Sequence, residues 1–234
     1  MNKEQLLKAD SFRYERKFHI TSLARFEIES IVKTHPAIFL ESYNPRFVNN
    51  VYFDSFYMND FHENIQGIVD RKKTRIRWYN SLFGKIEKPI LEFKVKKGLL
   101  GKKISYPIPS FSLDYNTGLD MRIITQICKK SDITEFEKIE LKQLKPILLN
   151  RYKRKYFLSA DKRFRITIDT DLEFHRIDSG ANIFNRIQDN SSIILELKYG
   201  VDCDSDANKI TNLFPFRVTK SSKYIIGIER VLVS

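Results

Sequence analysis

The sequence predicts a mainly β domain of the α+β type. Its antiparallel sheet is closed into a barrel or strongly curved, with helices packed outside and one helix at the C-terminus. Three observations carry this. Charged residues recur at every second position in at least five segments: Arg13, Glu15 and Lys17; Arg75 and Arg77; Glu92, Lys94 and Lys96; Arg163, Arg165, Asp169 and Asp171; Glu196 and Lys198. Period two places each set on one face of a strand. The residues between them, such as Phe18, Ile76, Phe93, Ile166 and Leu197, are apolar, and alternation of this kind marks antiparallel sheet, because buried parallel strands read as continuous apolar runs. Finally, the strands fall into two meander-like blocks separated by helices, and their number and length suit closure.

In chain order, a first strand is expected over Arg13 to Ile20. Thr21 or Ser22 then caps a helix running to Thr34, with Leu23, Phe26, Ile31 and Val32 at helical spacing and Pro36 beyond its end. Phe47 to Asp54 reads as a strand and Tyr57 to Ile65 as a short helix ending at Gly67. Strands follow at Thr74 to Ser81, Ile90 to Lys97 and Lys102 to Ile108, then helices at Gly118 to Lys130 and Glu135 to Leu144. Ile147 to Ala160, Arg163 to Leu172 and Ser191 to Tyr199 return to strand. Ser205 to Leu213 is a helix, Phe216 to Lys220 a short strand and Ser222 to Leu232 the terminal helix. No linker or low-complexity segment divides residues 1–234, so one domain is expected.

The 234 residues are 42% hydrophobic and 13% aromatic, enough for a core, and the formal charge of +12 asks for a polyanionic partner: nucleic acid, an acidic membrane surface or a phosphorylated molecule. Cys128 and Cys203 stand outside any C-x-x-C or His cluster, which excludes a zinc site and a disulfide framework and fits a reducing, cytoplasmic location. The opening Met1 to Gln5 begins no apolar run, so no signal peptide is expected, and no segment has the roughly 20 apolar residues of a membrane helix. Nucleic-acid binding predicts basic residues on exposed helices and loops among stacking aromatics; here they sit at strand period.

Either face of such strands can be the wet one. For a single strand the charged face belongs in water. Taken together the strands argue otherwise, because Arg recurs in them, as Arg75, Arg77, Arg154, Arg163 and Arg165, and guanidinium is the group suited to bidentate phosphate contact. Like charges on neighbouring strands repel unless an anion neutralises them. A barrel with this face inward is a basic tunnel.

Six segments in order then carry a resemblance: Arg13-Tyr14-Glu15-Arg16-Lys17-Phe18, Thr74-Arg75-Ile76-Arg77-Trp78-Tyr79, Leu91-Glu92-Phe93-Lys94, Arg165-Ile166-Thr167-Ile168-Asp169-Thr170-Asp171, Leu195-Glu196-Leu197-Lys198 and Lys220-Ser221-Ser222-Lys223-Tyr224. Over about Phe12 to Leu232 the chain resembles the triphosphate tunnel metalloenzymes. More narrowly, it is similar to the polyphosphate polymerase branch, the catalytic (VTC) domain of the vacuolar transporter chaperone complex, in a stand-alone bacterial form. The adenylate-cyclase and thiamine-triphosphatase branch carries Glu-x-Glu-x-Lys on its first strand. Arg13 makes this Arg-x-Glu-x-Lys, which favours the polymerase branch.

The resemblance implies a closed eight-stranded antiparallel barrel in which Lys17, Arg75, Arg77, Lys94, Arg154 and Arg165 contact a triphosphate. It further implies Lys103 (or Lys102), Lys198 and Tyr152 on the same wall, with Lys220, Ser222 and Lys223 bordering the substrate. Glu196 is implied as the ligand of Mn²⁺ or Mg²⁺. The implied reaction moves the γ-phosphoryl of ATP onto growing polyphosphate, with pyrophosphate or polyphosphate as the other ligand. Alternatives are a tunnel triphosphatase, acting on inorganic triphosphate, polyphosphate or a nucleoside triphosphate, and a non-catalytic polyphosphate-binding module. Among the remaining residues, Asp169 and Asp171 are expected to share the face of Arg165, Glu15 and Glu92 to orient Lys17 and Lys94, and Trp78 to pack in a core. His19, His35, His62 and His175 are expected to be structural.

Overall fold

The computed structural model describes residues 12–178, 180 and 182–233; the opening Met1 to Gln5 lies outside them. Its strands are β1 (Arg13–Ile20), β2 (Leu40–Asp54), β3 (Arg71–Tyr79), β4 (Gly84–Ile86), β5 (Ile90–Lys97), β6 (Leu100–Pro107), β7 (Phe111–Asp114), β8 (Gly118–Leu119), β9 (Lys145–Leu158), β10 (Phe164–Ile177), β11 (Ile183–Asp189) and β12 (Ile193–Gly200). The helices are α1 (Arg25–Lys33), α2 (Asn59–Gln66), α3 (Arg122–Lys130), α4 (Glu135–Gln143), α5 (Asp204–Thr211) and α6 (Lys223–Val233). Eight strands close on themselves in the order β10, β12, β1, β6, β5, β3, β2, β9, and β9 pairs back to β10. Every pairing is antiparallel. β11 continues the edge of β10 beyond β12, and β4, β7 and β8 form a separate small sheet.

The ring is thinnest between β1 and β6, which share the bridge Arg13 to Gly101. Further along β1 its outward edge is taken by Thr219, whose N–H donates to the Lys17 carbonyl at 2.7 Å and whose hydroxyl accepts from the His19 N–H at 3.0 Å. The stretch expected as a strand over Phe216 to Lys220 is therefore an irregular segment lying along this joint.

Apolar residues of the strands face outward under helices, as an inward-facing charged surface requires. Phe18, Ile166, Leu195 and Leu197 pack beneath α1 and α5, with Ile28, Val32 and Phe214. Ile76, Trp78, Leu91 and Phe93 pack beneath α3, α4 and the small sheet. A third cluster fills one end of the bore: Tyr224, Ile228 and Val231 of α6 meet Leu148, Tyr152, Leu172, Phe174 and Ile194. Contact here is close. A Cβ on Gly227 would lie 2.6 Å from both Leu148 and Phe174, which are fully buried. Gly227→Ala should therefore destabilise the protein by about 1–2 kcal/mol in spite of alanine's better helix propensity, read as a lower midpoint in urea; an unchanged midpoint would mean that α6 rides further off the barrel.

Local chemistry accounts for where the boundaries fall. α1 starts at Arg25, not after Ser22, because Glu27 accepts from the Ala24 N–H at 2.6 Å. α2 ends at Gly67 in the left-handed conformation, as its position after Gln66 suggests. β2 begins seven residues before the expected Phe47. Its first half is exposed and interrupted by irregularities against β9 after Glu41 and Tyr43, so it lacks alternation. β11 and the small sheet are likewise absent from the expected elements. Among the described residues no helix is long and apolar enough to cross a membrane.

Candidate functional site

Alternation on each barrel strand turns one set of side chains into the bore, and these collect into three linked clusters. In the first, Glu92, 1% exposed, accepts from Arg75 Nε at 2.8 Å and Nη2 at 2.6 Å and from Lys103 Nζ at 2.9 Å, with Arg77 3.7 Å away. Arg75 also donates to the Tyr52 hydroxyl at 3.0 Å, and Arg77 to Asn50 Oδ1 at 2.9 Å and the Tyr152 hydroxyl at 3.2 Å. In the second, Arg154 forms a two-pronged pair with fully buried Asp169 at 2.5 and 2.6 Å and reaches Glu196 at 3.3 Å. Glu196 also pairs with Lys198 at 2.8 Å, Lys223 at 3.1 Å and Lys17 at 3.8 Å, while Lys223 pairs with Asp169 as well. In the third, Glu15 joins Lys94 at 2.8 Å and Lys17 at 3.2 Å, and Lys17 donates to the Ser221 carbonyl at 2.9 Å.

These pairings set the charge states. Burial alone would raise the carboxyls, but Arg77, Arg75 and Lys103 hold Glu92 well below the usual range, and Lys198, Lys223, Arg154 and Lys17 do the same for Glu196. Glu15 is likewise kept low by Lys17 and Lys94 against its burial. The lysines divide. Lys223 is raised, because Asp169 and Glu196 outweigh desolvation. Lys94 is lowered to about 8 by burial, only partly offset by Glu15 and reinforced by Lys17 and Lys198. Lys73 is lowered well below an ordinary lysine by burial and by Lys17, Lys94 and Arg71; it donates to the Ser222 hydroxyl at 2.8 Å. An anion held by Lys94 loses a charged donor as the pH rises through 8. Inorganic tripolyphosphate should thus bind about tenfold more weakly at pH 9 than at pH 7, and Lys94→Arg, permanently charged, should remove most of that slope in calorimetric titrations.

Most residues expected at the site line the bore: Lys17, Arg75, Arg77, Lys94, Lys103, Tyr152, Arg154, Glu196, Lys198 and Lys223. Ser222 joins them through Lys73. Arg165 and Lys220 are exposed; Arg165 stands opposite Lys198 in register, at the rim. Three expectations need correction. Glu92 orients Arg75 and Lys103, while both Lys17 and Lys94 fall to Glu15. Asp169 balances Arg154 and Lys223 in place of Arg165. Asp171 leaves the face of Asp169, because its φ of +52° lies at the irregularity between Thr170 and Glu173, which breaks period two. Sequence reasoning missed Lys73, although it stands two residues before Arg75 on the same face. It also missed Asn50, Tyr52 and Asn150, whose Oδ1 accepts from Asn50 Nδ2 at 2.8 Å, uncharged groups with no charge pattern to reveal them.

A divalent cation at Glu196 would meet one protein carboxylate wrapped by four cations. Among the described residues no three His, Cys, Asp or Glu side chains gather as a ligand set. The donors fit Mn²⁺ or Mg²⁺ only as part of a metal–phosphate complex, with Glu196 giving an oxygen and phosphate and water filling the other positions.

A closed antiparallel barrel whose bore is lined by buried Arg and Lys on carboxylate pivots defines a tunnel protein of the anion-binding kind. The family model described as the VTC domain matches residues 12–232, and the chain belongs to that family of triphosphate tunnel proteins. No curated protein matches it. Among solved structures it is similar to the PH1819 protein from Pyrococcus horikoshii OT3, at 15% identity and a TM-score of 0.49, covering 93% of this chain and 99% of that one. It is also similar to a candidate adenylate cyclase from Bacillus halodurans, at 13% identity, TM-score 0.49 and coverage of 95% and 98%. A third is HpAC1 from Hippeastrum, described as a candidate adenylyl cyclase with a dominant triphosphatase activity, at 10% identity, TM-score 0.43 and coverage of 94% and 95%.

Proposed function

We propose that this protein is a metal-dependent polyphosphate polymerase that transfers the γ-phosphoryl of ATP to the end of a polyphosphate chain held in the bore. The observation that carries this reading is the continuity of the two arginine clusters. Arg77 of the first donates to the Tyr152 hydroxyl, and Arg154 and Lys223 of the second lie 5.2 and 4.8 Å from the centroid of the same ring. Successive phosphates can pass along this track from one cluster to the next. A terminal phosphate oxygen attacks the γ-phosphorus; a new P–O–P bond forms, the bond to the β,γ-bridging oxygen breaks, and ADP departs. That nucleophile is already ionised, so the chain's work is to align it and to spread charge over the equatorial oxygens, a task that in this reading falls to Arg75, Arg77, Arg154 and Lys223. A bound divalent ion would supply charge neutralisation on the phosphates at Glu196.

Hydrolysis of triphosphate is the second reading, and one observation favours it: Lys73, buried among Lys17, Lys94 and Arg71, is lowered well below an ordinary lysine and stands on the Ser222 hydroxyl at the bore. The histidines have other partners, His19 with Ser192, His35 with the Ile210 carbonyl, His62 with the Phe61 ring and His175 with Glu173. A product assay separates the two. With ATP and Mn²⁺, the polymerase yields ADP and an acid-labile phosphate polymer in matched amounts. Orthophosphate as the sole phosphate product overturns the proposal, and tight tripolyphosphate binding without turnover would leave a non-catalytic module.

A further inference from the structure

We propose that the rim of the bore beside Arg154 is a platform for the nucleobase of the incoming nucleoside triphosphate, with Tyr43 as its stacking face and Arg46 as its cationic edge. The inference rests on reading the bore as a triphosphate track. In a regular strand Tyr43 and Arg46, three residues apart, would face opposite ways. The irregularity in β2 between them undoes this: Tyr43 stands opposite Tyr156 and Arg46 opposite Arg154, two residues apart on β9 and therefore on one face. That face is the inner one, since on it Arg154 meets Asp169, its neighbour in register on β10, and Glu196 on β12, both of which line the bore.

The four residues form a built arrangement. The Arg46 guanidinium lies 4.1 Å from the Tyr79 ring centroid and 5.1 Å from that of Tyr156, and its Nε donates to the Tyr156 hydroxyl at 3.0 Å. Tyr43 meets Tyr156 at 5.7 Å with the two rings nearly perpendicular, yet is itself 66% exposed. Such an open tyrosine beside a guanidinium fixed by two rings is a surface on which planar heterocycles stack. Moving inward, aromatic residues give way to Arg46 and Arg154 about 7 Å further along the strands, a step that a ribose bridges. The order of ring, then cations, matches a base joined to a phosphate chain. Stacking of this kind selects for a planar ring without choosing among bases.

Titrations with β,γ-imido-ATP and with inorganic tripolyphosphate test the platform. Tyr43→Ala should weaken the nucleotide about tenfold and leave tripolyphosphate unchanged, and Tyr43→Phe, which keeps the ring, should bind both as the wild type does. Arg46→Gln should also weaken the nucleotide more than tripolyphosphate. Equal loss of both ligands, or no loss of either, overturns the inference. A wild-type product assay that returns only orthophosphate would remove the polymerase reading, while a nucleotide-selective loss in Tyr43→Ala would still uphold the platform.

Discussion

Asp169→Asn should destabilise the protein by about 3 kcal/mol, a fall of roughly 10 °C in thermal midpoint for a chain of this size. Asp169 is fully buried and is the two-pronged partner of Arg154, as well as a partner of Lys223. Its neutral replacement leaves both cations beside Glu196 alone. Removing one member of a buried ion group costs more than the group is worth, because the remaining charge stays desolvated. The same substitution makes the bore more positive, so its cost should be recovered by an anion. Tripolyphosphate at a hundred times its dissociation constant contributes about 2.7 kcal/mol to any folded state that binds it. The variant should therefore bind tripolyphosphate more tightly than the wild type, and saturating ligand should return most of the lost midpoint. Destabilisation that tripolyphosphate does not relieve would show that Asp169 holds the barrel together through something other than charge.

This coupling explains why the bore carries carboxylates at all. Arginines and lysines packed at this density repel each other, and burial disfavours each of them. Glu15, Glu92, Asp169 and Glu196 neutralise them while no phosphate is bound. They also fix the geometry, since Arg75 and Arg154 are each oriented by a carboxylate to which two guanidinium nitrogens donate.

Much of this was legible in the sequence because period two reports a face without knowledge of the fold. Lys17, Arg75, Arg77, Lys94 and Glu196 announced themselves by alternation, Arg154 only through the resemblance, and the apolar residues between the alternating charges announced the helical jacket. Alternation does not say which residues meet across a bore. Glu92 and Glu15 both looked like partners for nearby lysines of their own strands, and only the barrel's stagger brings Lys94 to Glu15 on another strand. Irregular backbone defeated the pattern outright. Asp171 lost its place through one left-handed residue, and Tyr43 and Arg46 gained theirs through a bulge. Lys73 was hidden for a different reason: Arg71, Lys72 and Lys73 form an unbroken basic run, which reads as a solvated surface.

Glu196→Gln carries the largest expected effect on turnover, and it separates the two jobs proposed for the bore. The side chain is held by Lys17, Lys198, Lys223 and Arg154, and in the proposed reaction it is the carboxylate that would complete a metal–phosphate complex. With the charge removed, these four cations are released to phosphate, so tripolyphosphate should bind more tightly in the absence of divalent metal. Turnover should move the other way. A metal on the transferring group contributes several kcal/mol of charge stabilisation, so loss of its protein ligand should lower kcat by on the order of a hundredfold and shift the Mn²⁺ dependence to higher concentration. Glu92→Gln provides the contrast: it disorders Arg75 and Lys103 and should weaken triphosphate binding without moving the Mn²⁺ requirement. A Glu196→Gln protein with wild-type turnover and an unshifted Mn²⁺ titration would remove the metal from Glu196 and leave that residue as one more counter-ion of the bore.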